Sequence, residues 1–228
     1  MAFFFEHYVN QNKNNIIYNK DLDLLVFNCI VDSTMNLDNK IIGIAGNARS
    51  GKDTLGENFV KILSDQGIKA KTYSFAYELK KSVDSFLKEQ LGISSFTEND
   101  EEKKIIRPFL VFWGTDVMRK LNNSIWVEKL ESSLDNNQVS IITDLRFINE
   151  LDWIKENKGL SLLIEREGVK PANDYEEQNN NDMSDRVDSK FHMGNFEDKK
   201  LIELMANEIL NSIVNNEIYE SWKATCPL

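Results

Sequence analysis

The stretch 41-IIGIAGNARSGKDTLG-56 decides how the rest of the chain is read. Its first residues are apolar and end at a glycine, as in a short buried parallel strand. Gly46 and Gly51 bracket four residues and Lys52 follows, which completes G-x-x-x-x-G-K. Leu55, Phe59, Ile62 and Leu63 then recur at helical spacing, and Gly67 is the expected C-cap. A glycine loop between strand and helix suits phosphate: backbone N–H groups and the helix N-terminus face the anion, and the lysine adds charge. The expected nucleotide-binding set is Gly46, Asn47, Ala48, Arg49, Ser50 and Gly51, with Lys52, Asp53 and Thr54 at the head of the helix.

Asp53 stands where such loops usually carry Ser or Thr. It has two readings. A carboxylate can hold Mg²⁺ directly or through water, and it is also favourable at a helix start without any metal. Thr54 would supply the usual hydroxyl if the register slipped by one residue.

Beyond the loop the pattern alternates. Strands are expected at 69–76, 139–143, 160–165 and 191–195, and helices at 78–92, 108–121, 124–134, 147–157 and 199–214. Residues 93–104 read as a polar loop, with Pro108 restarting helix. This alternation predicts an α/β fold of three layers, a parallel sheet flanked by helices. The polar tract 167–190 reads as a mobile lid, although a surface insertion has the same composition. Residues 1–39, polar and Asn-rich around short apolar patches, form an N-terminal extension; the main domain spans 40–217, with a tail at 218–228.

At 228 residues the chain suits one domain with an appendage, and 41% hydrophobic content provides for a sizeable core. A formal charge of -10 argues against broad nucleic-acid or anionic-membrane binding, though not against a local basic pocket. No apolar run approaches a membrane span, and the start lacks a secretion signal. Cys29 and Cys226 show no metal or redox spacing. The expectation is a cytoplasmic protein, in the host cytoplasm if viral. Aromatics in the extension leave room for a homodimer.

Three further clusters carry chemistry. In 141-IITDLRFINE-150, Asp144 ends a buried strand at the sheet edge where α/β proteins bind ligands. It is a candidate Mg²⁺ ligand or proton acceptor, and equally a cap for a helix beginning at Arg146. Arg146 is placed to neutralise a phosphate. In 107-RPFLVFWGTDVMRK-120, Arg107, Asp116 and Arg119 flank Phe112 and Trp113, and helical spacing pairs Asp116 with Arg119. The alternative there is a plain aromatic core with an exposed ion pair. Arg166 ends an apolar strand directly before the polar tract, as a lid arginine for phosphoryl transfer would. His7 and His192 read as packing or surface residues.

Taken in order, 46-GNARSGKDT-54, 75-FAYELK-80, 110-LVFWGTD-116, 126-WV-127 and 143-TDLR-146 resemble the phage deoxynucleoside monophosphate kinases. The resemblance spans about residues 40–214, and GKDT belongs to that family's pattern. It implies transfer of the ATP γ-phosphate to a dNMP in deoxynucleotide biosynthesis. Lys52 and the loop would hold ATP, with Mg²⁺ near Asp53, Thr54 or Asp144. Phe75, Ala76, Lys80, Arg107, Trp113, Asp116, Arg119 and Arg146 would face the monophosphate, and Lys52, Asp144, Arg146 and Arg166 would serve catalysis. Rival readings are a kinase acting on hydroxymethylpyrimidine bases in DNA and a non-catalytic nucleotide-binding regulator. Phosphomevalonate kinases share an SGKD-type loop but fit the GTD and TDLR segments less well.

Overall fold

The computed structural model describes residues 40–171, 174–193, 203–204 and 206–211. Among these, five parallel strands form one sheet in the order β2-β3-β1-β4-β5: β1 (Ile41–Gly46), β2 (Ala70–Tyr73), β3 (Val139–Leu145), β4 (Leu160–Arg166) and β5 (Ser189–Met193). Helices α1 (Lys52–Asp65), α2 (Phe75–Leu91), α3 (Asp100–Val111), α4 (Ile125–Glu131), α5 (Ile148–Glu156) and α6 (Asp174–Ser184) connect them. The α/β expectation holds.

The strands alternate sides with period two, and both sides are apolar, as a sheet covered on both faces requires. Ile42, Ile44, Ile141, Leu162 and Ile164 pack on Leu55, Phe59, Ile62 and Leu63 of α1 and on helical residues Ala206, Ile209 and Leu210. Ile41, Ala45, Ile142, Leu145 and Leu163 pack instead on Trp126, Val127 and Leu130 of α4 and on Leu151, Trp153 and Ile154 of α5. Gly56 matters for the site: a Cβ there would lie 2.5 Å from the Thr143 methyl, so its absence lets α1 lie close against β3.

Several element boundaries depart from the sequence reading. The strand expected at 69–76 ends at Tyr73, because Ser74 caps a helix that already begins at Phe75. The 93–104 loop is shorter than expected. Asn99 accepts from the N–H groups of Glu101 and Glu102, and α3 starts at Asp100 with three acids in its first turn, which favours a helix N-terminus. Pro108 therefore lies inside α3 rather than starting a helix. The chain then widens into a π-helical segment, Phe112–Met118, before a last α-helical turn, Arg119–Leu121.

The polar tract 167–190 is not a plain loop. It contains α6, and its end belongs to β5 (Ser189–Met193), which begins two residues before the strand expected at 191–195, of which 194–195 lie outside the described residues. Asp188 ties β5 to β4 by accepting from the Ser161 N–H (2.8 Å) and hydroxyl (2.6 Å). The composition hid α6, which is mostly solvated with Met183 in the core, and blurred the start of β5, which borders β4 alone among the described strands. His192 is an exposed residue of β5, beside Glu165. The extension at 1–39, His7, both cysteines and the tail lie outside the described residues.

Candidate active site

The loop between β1 and α1 wraps back over the carboxyl edge of the sheet, where open α/β sheets bind ligands. Gly46 has φ 144°, and a Cβ there would lie 2.4 Å from the Ile164 carbonyl oxygen of β4, so only glycine fits. Lys52, the first residue of α1, is buried and bends across the loop, donating to the carbonyls of Gly46 (2.8 Å) and Asn47 (2.6 Å). Burial lowers its pKa to about 8; Arg146 adds to the lowering, while Asp53, Glu176 and Asp144 oppose it. Lys52 and Arg146 thus repel one another, and an anion beside them would relieve both.

Asp53 and Thr54 stand exposed in the first turn of α1. The Asp53 carboxylate accepts from the Thr143 hydroxyl at 2.6 Å. Asp53 also lines a cavity of about 590 Å³ formed with β2 and α2 residues such as Thr72, Tyr73 and Glu78. No group of three or more His, Cys, Asp or Glu residues among the described residues is arranged to hold a metal.

Asp144 does cap a helix, but not the one beginning near Arg146. Its carboxylate accepts from the Ser74 hydroxyl (2.8 Å) and from the N–H groups of Phe75 (2.9 Å) and Ala76 (2.8 Å), closing the N-terminus of α2. The helix after Arg146 is served by Glu150, which accepts from the N–H groups of Arg146 (2.9 Å) and Phe147 (3.1 Å).

Glu150 is fully buried and also pairs with Arg119. Burial pushes its carboxyl up, against the opposing pull of Arg119 and the two N–H donors. Arg119 in turn lies 3.7 Å from the centroid of the Phe147 ring and donates to Asn149 and to the Asn123 carbonyl, both at 3.2 Å. The expected Asp116–Arg119 pair does not form; Asp116 lies 3.4 Å from Lys120 instead. The reason is winding: π-helical turns hold more residues than α-helical ones, so positions three apart no longer share a face.

A cavity of about 330 Å³ runs from the loop into the helices. Gly46, Asp144 and Arg146 border its sheet end. Lys80, Arg107 and Arg119 add cations, and Phe75, Leu79, Leu110, Val111, Trp126 and Phe147 supply apolar and aromatic walls. Phe75, Ala76, Lys80, Arg107, Arg119 and Arg146 thus line one cavity. Trp113 and Asp116 do not. Trp113 stacks on Phe109 at 6.3 Å, and Gly114 and Thr115 take the cavity face in its place. Gly114 presents backbone there, and its carbonyl accepts from the Trp126 indole at 3.1 Å. Arg166 is the last residue of β4, in register with Met193 of β5, at the end of the strand where the sequence reading put it.

The sequence reading missed Glu176, Asn179 and Asn180, which reach the cavity from α6. Glu176 accepts from the Ala48 N–H at 3.0 Å, and Asn180 donates to the Asn47 side chain at 2.6 Å. Their i, i+3, i+4 spacing is the signal, hidden in a tract without apolar periodicity.

A phosphate loop bordering an acceptor-sized cavity is the geometry of a kinase, and comparison with known proteins agrees. The phosphomevalonate kinase model matches residues 44–160, just over half of the 228-residue chain. The chain belongs to the phosphomevalonate kinase family. GTD and TDLR, read above as fitting this family less well, both lie inside the matched stretch. The family and the loop together make the chain a P-loop phosphotransferase. No curated protein matches the sequence. Similar solved structures include shikimate kinase from Bacteroides thetaiotaomicron, at 15% identity over 76% of this chain and 98% of that one, TM-score 0.46. Shikimate kinase from Aquifex aeolicus is 18% identical over 78% and 98%, TM-score 0.45. A gluconokinase from Sinorhizobium meliloti is 13% identical over 81% and 98%, TM-score 0.46. These likenesses bear on neither substrate nor mechanism. Among the described residues, no helix is long and apolar enough to cross a membrane.

Proposed function

We propose that the protein transfers the γ-phosphate of ATP to the phosphate of a deoxynucleoside 5′-monophosphate, giving ADP and a dNDP. The observation that carries this reading is the cavity itself. It joins the phosphate loop to a slot with Lys80, Arg107 and Arg146 on its lining and aromatic and aliphatic walls at Phe75, Leu79, Leu110, Val111 and Trp126. Cations suit the acceptor phosphate, and flat apolar walls suit a base.

The loop amides and Lys52 would hold the ATP phosphates, with Arg146 between donor and acceptor. An oxygen of the acceptor phosphate attacks the γ-phosphorus, and the bond to the β–γ bridging oxygen breaks to release ADP. A phosphate monoester is largely dianionic at neutral pH, its second pKa being about 6, so the attack needs no general base. This agrees with Asp144 being engaged by three donors at α2. Positioning and charge neutralisation are what such transfers require. Asp53, beside Thr54, would be the foremost residue to hold Mg²⁺ and Asp144 the second, and the ion when bound would supply neutralisation of phosphate charge.

The family match favours a second acceptor, phosphomevalonate, which also presents a phosphate but carries a small hydroxy acid where a dNMP has a base. An assay of ATP and Mg²⁺ with all deoxy and ribo monophosphates, phosphomevalonate and hydroxymethyluracil-containing DNA separates the readings. We expect dNDP formation, abolished by Lys52→Ala. Turnover of phosphomevalonate alone, or of the DNA alone, would overturn the dNMP reading; turnover of nothing would sink the kinase.

A further inference from the structure

Resting on the reading that ATP phosphates occupy the loop, we propose that Glu176 is a resident anion of that loop, and that nucleotide phosphate must displace it. The residue thereby sets nucleotide affinity and couples loop occupancy to the position of α6.

The argument begins with the donor. Ala48 lies between Gly46 and Gly51, and its N–H is one of the loop donors available to an anion. In the structure that N–H goes to the Glu176 carboxylate at 3.0 Å. A carboxylate and a phosphate cannot share one N–H, and two anions in contact repel. The carboxylate acts on the lysine as well, since Glu176 is among the groups that hold its proton against burial. Glu176 therefore does at the loop, more weakly, what a phosphate would do.

The construction of α6 makes such an exchange mechanically simple. Its C-terminal end is anchored: Met183 is fully buried, Arg186 pairs with Asp152, and Lys155 donates to the Arg186 carbonyl. Its N-terminal half meets the loop through Glu176 and Asn180, the latter bound to Asn47. Replacing Glu176 by phosphate removes one of these two contacts and loosens the first turns of the helix, while the Asn180–Asn47 contact remains. These turns line the acceptor cavity, so ATP arrival would alter access to it.

The test is calorimetric binding of ATP to the full chain and to Glu176→Gln, Glu176→Ala and Glu89→Gln. Gln keeps the acceptor and the shape but removes the charge; Glu89 is an exposed acid on α2 and controls for net charge. We expect Glu176→Gln and Glu176→Ala to bind ATP about tenfold tighter, as loss of one charge-assisted competitor implies, with Glu89→Gln like the parent. Amide exchange over 174–184 should quicken when ATP is added to the parent. A merely structural Glu176 would lower the melting temperature without raising affinity. Equal or weaker ATP binding by Glu176→Gln overturns the inference alone. No ATP binding by any form overturns both it and the kinase reading, whereas tighter binding without dNMP turnover leaves it standing and sinks only the acceptor.

Discussion

Thr143 donates its hydroxyl to the carboxylate of Asp53 at 2.6 Å, joining the end of β3 to the first turn of α1. Gly56 makes this contact possible by letting the helix approach the strand. The carboxylate that replaces the usual loop hydroxyl is therefore met by a hydroxyl from the neighbouring strand. It is also an acid at a helix N-terminus, and the two roles separate under substitution. Asp53→Ala is expected to cost about 1 kcal/mol of stability, the size of a helix-end charge and one hydrogen bond. If the carboxylate supports Mg²⁺, turnover falls at least about tenfold, more than that loss of stability converts to. Steady-state kinetics across a Mg²⁺ titration, set beside urea unfolding, checks this; turnover unchanged at all Mg²⁺ levels would leave only the helix-end role.

Lys52 ties nucleotide binding to protons. Its folded pKa lies near 8, below the ordinary 10.5, because burial penalises the charge. The unfolded chain binds more protons between those values, so this residue makes stability rise with pH from about 8 to 10.5, and Lys52→Met should flatten that slope. Phosphate raises the lysine pKa again, so ATP binding near pH 8.5 should take up protons. Calorimetry in two buffers of different ionisation enthalpy measures the uptake, which should vanish in Lys52→Met variants that still bind.

Asp144 is a support for α2. Its removal leaves the Ser74 hydroxyl and the N–H groups of Phe75 and Ala76 without their acceptor, at a cost of about 1–3 kcal/mol. Asp144→Ala should lower the melting temperature and raise the KM for the acceptor, since Phe75 and Ala76 line its cavity. Amide exchange at the first turn of α2 should quicken in the same variant.

The Arg119–Glu150 pair is buried, with side-chain exposures of 8% and 2%, so neither partner is replaceable alone. Glu150→Ala strands the guanidinium in the interior and should destabilise by about 3–5 kcal/mol. Removing both charges in Arg119→Met with Glu150→Ala should recover part of that loss. Urea unfolding of the parent and the two variants decides; a double variant no more stable than Glu150→Ala would assign the cost to the N–H groups of Arg146 and Phe147.

Elements with a local signal were legible. The phosphate loop needs specific residues at fixed spacing, and the apolar strands around it show their burial directly. Phe75, Lys80, Arg107 and Arg146, which the family resemblance grouped together, line one cavity in the structure. Asp116 and Trp113 fall outside that cavity's lining, since the π-helical winding of 112–118 rotates that face and no residue in it announces the change. α6 went unread because it is mostly solvated, and β5 was read two residues late because it lies beside a single described neighbour, and periodicity reports burial.

By itself, the sequence determined a strand–loop–helix phosphate site and a parallel sheet around it, because glycine spacing and apolar alternation are local properties of a chain. Only the tertiary structure decided what each acid does. Asp144 was assigned to α2, Glu150 to Arg119, Asp53 to Thr143 and Glu176 to Ala48, since a carboxylate takes the donors that folding brings within 3 Å, and those donors come from distant segments.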